Sequence, residues 1–198
     1  MNTNLFGPIR VLKAVLPTMR AQKSGTVIYN SSIFGQYPCP AGAMYSAPKA
    51  AGDMLQEVLQ VELSSFNVRF ITLNVGLYKT NILANTQLPA KGFTQQYLEE
   101  TAIGKTMNLV GQIAQDPDTQ MPGDPEKFAA RVVEVVDGSG YGQGLEKIQH
   151  LFMGRDSLPL AQKKIDLLQA DLDACQKIAI STDRDGVTAP GVAVVGDL

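Results

Sequence analysis

Residues Ser32 to Lys49 read SIFGQYPCPAGAMYSAPK, and this stretch decides how the chain is understood. Ser32 closes a β-rich run, Tyr45 follows thirteen positions later, and Lys49 comes four residues after the tyrosine. Pro38, Pro40 and two glycines mark Gly35–Gly42 as a loop between a strand and a helix. A residue at i+4 lies one turn away on the same helix face, so Tyr45 and Lys49 point the same way. A strand-end serine and such a pair can converge on one carbonyl-sized space. Tyrosine is almost wholly protonated at neutral pH, and a neighbouring ammonium stabilises its phenolate. Pro48 is tolerated if it falls in the opening turn, where N–H groups have no internal partner. The helix is therefore expected to start at Ala43–Ser46, with Tyr45 at its mouth.

Elements alternate on both sides of this stretch. Upstream, Leu5, Ile9, Leu12, Leu16 and Met19 follow a 4-3-4-3 spacing that predicts a helix over 3–21, kinked or loosened by Pro17. Thr26–Ser32 (TVIYNSS) reads as a buried strand. Downstream, the helix over 44–65 carries Ala51, Leu55, Val58, Leu59 and Leu63 on its main apolar face. Val68–Asn74 (VRFITLN) is a second strand, closed by Gly76. Helix and strand alternating twice imply parallel strands joined by crossover helices. Segment 77–123 has no sustained period apart from a short helix within Tyr97–Gln112, and its Gln-rich composition suits a mobile lid.

Asp124-Pro125-Glu126 is a helix start, with a capping carboxylate and proline at the first position; Gly138 is its stop. Gly138–Gly144 follows a helix rather than a strand, so it reads as a turn and not a phosphate cradle. Lys147–Met153 is a third strand. Ser157–Ala179 is a final helix with Ala161, Ile165, Leu168, Leu172, Cys175 and Ala179 in register. The tail from Ser181 is expected to be disordered, although VAVV could dock. The expected organisation is one α/β unit over 1–155, with 77–123 as its lid, then a helix over 156–180 and the tail.

Composition narrows the function classes. A chain of 198 residues with 44% hydrophobic content can bury one core. Its net charge of −2 argues against nucleic acid or an anionic membrane as main partner. No apolar run approaches the roughly 20 residues of a membrane helix, and MNTNLFGPIR lacks the pattern of a signal peptide. A cytoplasmic location is therefore expected. Cys39 and Cys175 lack metal-ligand spacing and are read as free thiols; no metal site is expected. The single histidine, His150, sits in an apolar run and reads as an ordinary strand residue.

Taken together, these motifs resemble the short-chain dehydrogenase/reductase family. Asn4-Leu-Phe-Gly7 matches its N-x-x-G, and Asn30–Gly35 its strand-end serines. Tyr45 and Lys49 match its Y-x-x-x-K. Val75–Thr80 resembles its P-G-x-x-x-T, with valine in the proline position. The likeness is specific over residues 1 to about 80 and looser to about 155. It implies an incomplete Rossmann-like, doubly wound parallel sheet with about three strands and flanking helices. The activity implied is hydride exchange between NAD or NADP (NADP being slightly favoured) and a small ketone or secondary alcohol.

The resemblance also assigns roles. Tyr45 would donate or accept the proton, and Lys49 would support it and bond the nicotinamide ribose. Ser32 would hold the substrate oxygen, and Asn4 would support a water relay. Val75, Gly76 and Thr80 would lie against the nicotinamide and phosphates. Plainer alternatives exist: Asn4 or Thr80 could simply cap helices, and Ser31 could face the site instead of Ser32. Ile82, Leu83, Leu88 and Phe93 suggest a moderately hydrophobic substrate. The family's T-G-x-x-x-G-x-G turn and N-A-G segment are not in this sequence. The expectation is thus a shortened reductase, with TVIYNSS exposed as a sheet edge. It is either active or a silent fragment that pairs through helices 3–21 and 44–65 with a second copy, a partner or a full-length homologue. A nucleotide-sugar epimerase fits less well.

Overall fold

A computed structural model describes residues 1–86, 89–98 and 100–187. Leu88 and the VAVV run therefore lie outside the described residues. A π-helical turn, Asn2–Phe6, leads into α1, Gly7–Gln22. Pro17 does not break α1, which ends at Lys23 in a left-handed conformation. Strand β1 is Gly25–Asn30, shorter than expected, because Ser31 and Ser32 leave the strand for a 3-10 turn at Ile33–Gly35. Helix α2 is Ala43–Glu62 and β2 is Val68–Val75. The expected helix end at residue 65 is instead a separate 3-10 turn, Ser64–Phe66, stopped by left-handed Asn67.

The lid region holds more regular structure than its sequence suggested. It contains α3 (Gln95–Leu98), α4 (Ala102–Gln115) and α5 (Pro117–Gln120). The Thr101 hydroxyl caps α4 by accepting from the Gly104 N–H at 3.1 Å. Helix α6, Pro125–Asp137, has the expected Asp124 cap and ends at Gly138 with φ 66°. The segment Gly138–Gly144 is a turn built on a 3-10 element, Gly140–Gly142. Strand β3 spans His150–Met153 only, and α7 runs from Ser157 to Ile180.

The three strands are parallel in the order β1-β2-β3. Alternation along β2 sorts its side chains between two helical layers. Ile71 and Leu73 pack with Val135, Leu151 and Met153 beneath α6. Val68 and Phe70 pack with Leu12 and Leu63 beneath α1 and α2. This is the three-layer arrangement of a doubly wound α/β sheet. The β1 strand is an edge, as its sequence reading expected, and Ile28 on it is 40% exposed. Because β3 is short, the Phe70 N–H has no strand partner there and donates to Gln60 Oε1 at 2.8 Å.

Candidate active site

The C-terminal ends of β1 and β2 and the start of α2 meet in one place, which positions the Ser-Tyr-Lys set. Lys49 is 9% exposed, and its Nζ donates to the Asn30 carbonyl at 2.7 Å. The ammonium lies 5.7 Å from the ring centroids of both Tyr45 and Tyr29. Burial lowers the Lys49 pKa below the ordinary lysine range, and the charge of Asp53 works against that. Tyr45 is half-buried at the third position of α2. Its N–H bonds the Gly42 carbonyl at 2.9 Å, so it sits in the opening turn. Pro48 does not: five residues past the helix start, it lies beyond the free N–H groups and leaves the Met44 carbonyl without its usual donor.

Both serines are buried, Ser31 at 3% and Ser32 at 5% exposure, and they turn in different directions. The Ser32 hydroxyl accepts from the Phe34 N–H at 3.2 Å and donates to the Val75 carbonyl at 3.5 Å. Ser31 Oγ instead lies beside the Asp53 carboxylate, close enough to favour its charge without a well-formed hydrogen bond. Asn4 reaches the site through its main chain, its carbonyl accepting from the Tyr29 hydroxyl at 2.8 Å. Its side chain caps neither the π-helical turn nor α1.

Val75 and Gly76 end β2, and a carboxylate occupies the space over the glycine. A Cβ on Gly76 would lie 2.3 Å from Asp156 Oδ1, and Asp156 Oδ2 accepts from the Leu77 N–H at 2.8 Å. Thr80 is exposed, and its hydroxyl accepts from the Ile82 N–H at 3.4 Å, a local turn contact. A hollow of about 240 Å³ lined by Tyr78, Phe128, Met153, Lys127, Arg131 and Arg155, among others, includes none of Ser32, Tyr45 and Lys49.

Sequence reading missed the polar residues behind the lysine. Asp53 is 2% exposed and Asn74 is 0% exposed. Asp53 stands four residues after Lys49, so the spacing that paired Tyr45 with Lys49 extends to it. The set offers a cation, a phenol and a serine hydroxyl at the C-terminal ends of parallel strands, where open α/β sheets bind ligands.

A family model described as short chain dehydrogenase matches residues 1–90. Among curated proteins, Dehydrogenase/reductase SDR family member 7B of Xenopus laevis is 34% identical over 113 residues, 57% of this chain and 35% of the relative. Oxidoreductase claN of Passalora fulva is 33% identical over 114 residues, 58% of this chain and 49% of the relative. The chain thus spans about a third to a half of the length of these relatives. A short-chain dehydrogenase structure from Streptomyces avermitilis superposes with a TM-score of 0.74 at 29% identity, covering 91% of this chain and 60% of that one. One from Burkholderia cenocepacia, in complex with NADP, superposes at 0.51 with 20% identity over 86% of this chain and 55% of that one. The latter likeness concerns the fold alone.

Proposed function

We propose that this chain, which belongs to the short-chain dehydrogenase family, carries the proton-handling site of an NAD(P)-dependent oxidoreductase for ketones or secondary alcohols. The observation that carries the reading is the buried Lys49 ammonium, anchored at 2.7 Å to Asn30 and set 5.7 Å from the Tyr45 ring. Tyr45 gives its phenolic proton to the carbonyl oxygen, or takes it back from the alcohol. Lys49 steadies the resulting phenolate. Ser32 orients the substrate oxygen by redirecting a hydroxyl whose contact to Val75 is long enough to exchange.

A nicotinamide cofactor suits the Lys49 end of this site. An ammonium has three donors, and among the described residues one of them is taken, by the Asn30 carbonyl, which leaves two for ribose hydroxyls. When bound, such a cofactor supplies or accepts the hydride. NADP is the leading candidate for a reductase. The Val75–Gly76 backbone and Thr80 are its proposed neighbours, but the Asp156 carboxylate over Gly76 would repel a phosphate placed there. A moderately hydrophobic substrate fits the apolar members of the lid.

The second reading is a chain that works only when associated. It is supported by the unpaired β1 edge and by the apolar outer positions of α1 and α2. Nicotinamide fluorescence separates the two readings. NADPH or NADH binding that weakens in Lys49→Ala, with turnover lost in Tyr45→Phe, is the result expected of the enzyme. No binding at millimolar cofactor favours the associated fragment, and turnover retained in Tyr45→Phe removes that residue from the proton step.

A further inference from the structure

A line of polar side chains links α2 to β2 and β3. Gln36 Nε2 donates to Asp53 Oδ2 at 2.8 Å, and Asn74 Nδ2 donates to the same oxygen at 3.2 Å. The other end of the Asn74 amide, Oδ1, lies 2.9 Å from His150 Nδ1. His150 Nε2 lies 3.2 Å from Glu57 Oε1. The line therefore leaves α2 at Asp53, crosses β2 at Asn74 and β3 at His150, and returns to α2 at Glu57, one turn further on.

Hydrogen-bond bookkeeping assigns the protons. Two donors converge on Asp53 Oδ2, the arrangement a carboxylate accepts, and this places the Asn74 nitrogen toward Asp53 and its oxygen toward His150. An amide oxygen only accepts, so His150 Nδ1 must carry a hydrogen. Nε2 faces the Glu57 carboxylate, which closes the line on α2. The charged groups that face the ring are Asp53 and Glu57, both on α2; from β2 it meets neutral Asn74, and on β3 it stacks with Phe152 at 6.3 Å.

We propose that His150 stands in this line as a positioning residue, its Nδ1–H held by Asn74 Oδ1 and its Nε2 set against Glu57. The line from Glu57 through His150 and Asn74 to Asp53 is then the positioning device that fixes the Lys49 turn of α2 against β2 and β3. The link to turnover rests on the oxidoreductase reading above; the geometry of the line does not. Burial raises the Asp53 pKa, and the His150 charge is among the influences opposing that rise, together with Ser31, Gln36 and Asn74. Asp53 in turn favours the charged form of Lys49 against desolvation. His150 is thus a positioning residue acting through Asp53 on Lys49, and it touches no reacting atom.

The full chain has a single histidine, so its ring nitrogens are read without assignment. In the ¹⁵N-histidine-labelled protein, Nδ1 is expected to show the protonated pattern. In His150→Gln, amide exchange over Lys49–Glu57 is expected to accelerate about tenfold, the loss of roughly one net hydrogen bond. If His150→Gln does not fold, Glu57→Gln is expected to show the same acceleration on a smaller scale. A ring without a hydrogen on Nδ1 in the unaltered protein overturns the proposal, and so does unchanged exchange in both variants. Absence of turnover in the unaltered protein would sink the oxidoreductase reading and leave these measurements standing.

Discussion

Tyr29 shows how one side chain ties the site together. It is 6% exposed, and its hydroxyl bonds the Asn4 carbonyl at 2.8 Å. Burial, then the charge of Asp53 and the neighbouring Tyr45, push its pKa up to about 12. The folded value lies above the unfolded value near 10, so the stability from the neutral phenol is complete below pH 10. It is lost as the pH rises through about 12. The loss amounts to about 2–3 kcal/mol. Tyr29→Phe is therefore expected to be about 1 kcal/mol less stable than the parent at pH 8. Urea unfolding from pH 8 to 12 should show that gap closing and then reversing; a constant gap would contradict the burial account. At this scale the sequence was legible where spacing was local. Tyr45 and Lys49 are one turn apart and readable. Asp53, one turn further, passes for a solvent-facing charge until β2 is packed over it. His150 looked ordinary because Asn74 and Glu57 are distant in sequence.

Helix α2 can approach β1 so closely because residue 52 is glycine. A Cβ there would lie 2.2 Å from the Tyr29 hydroxyl oxygen and 2.3 Å from its ring carbon. Alanine is the better helix former by about 1 kcal/mol, but the clash outweighs that gain. Gly52→Ala is expected to lose about 1–3 kcal/mol in urea unfolding. Gly111, on α4, has open space where its Cβ would stand, and Gly111→Ala is expected to gain up to about 1 kcal/mol. Opposite signs from one substitution type test the contact rather than helix propensity. Element boundaries were less legible than element identity. Pro48 pointed to the correct start of α2 for an incorrect reason, since it lies past the opening turn. Helix α4 was only partly visible because Gly104 and Gly111 dilute the apolar row of Ile103, Met107, Val110 and Ile113.

Over the whole molecule, apolar surface is distributed unevenly. Val11, Met54, Val58 and Val61 stand out on α1 and α2 at 44–61% exposure. On α7, the expected stripe meets little: Ala161 is buried, whereas Ile165, Leu168 and Leu172 are 58%, 49% and 64% exposed. No helix among the described residues is long and apolar enough to cross a membrane. Self-association through α1 and α2 is expected, with sedimentation showing a species larger than the monomer. Val58→Glu should return it to monomer mass, whereas Leu172→Glu should leave the assembly intact; the reverse result would assign the contact to α7. The parallel α/β layering was legible because helix and strand periods alternate in order. The path of the lid was not, because α3 and α5 are four residues each and α4 starts from a single capping residue, Thr101.

The short third strand also sets an order of assembly. Strands β1 and β2 are joined through α2, with a 3-10 turn on either side of it, so their pairing closes a modest loop. Pairing of β3 with β2 must first close everything between Val75 and His150, including α3 through α6. Loop closure and non-local pairing slow folding, so β1-α2-β2 is expected to form first and β3 to dock late. His150 arrives with that last strand. The lysine-bearing helix would therefore be in place, but loosely held, until the final docking step brings the histidine under it.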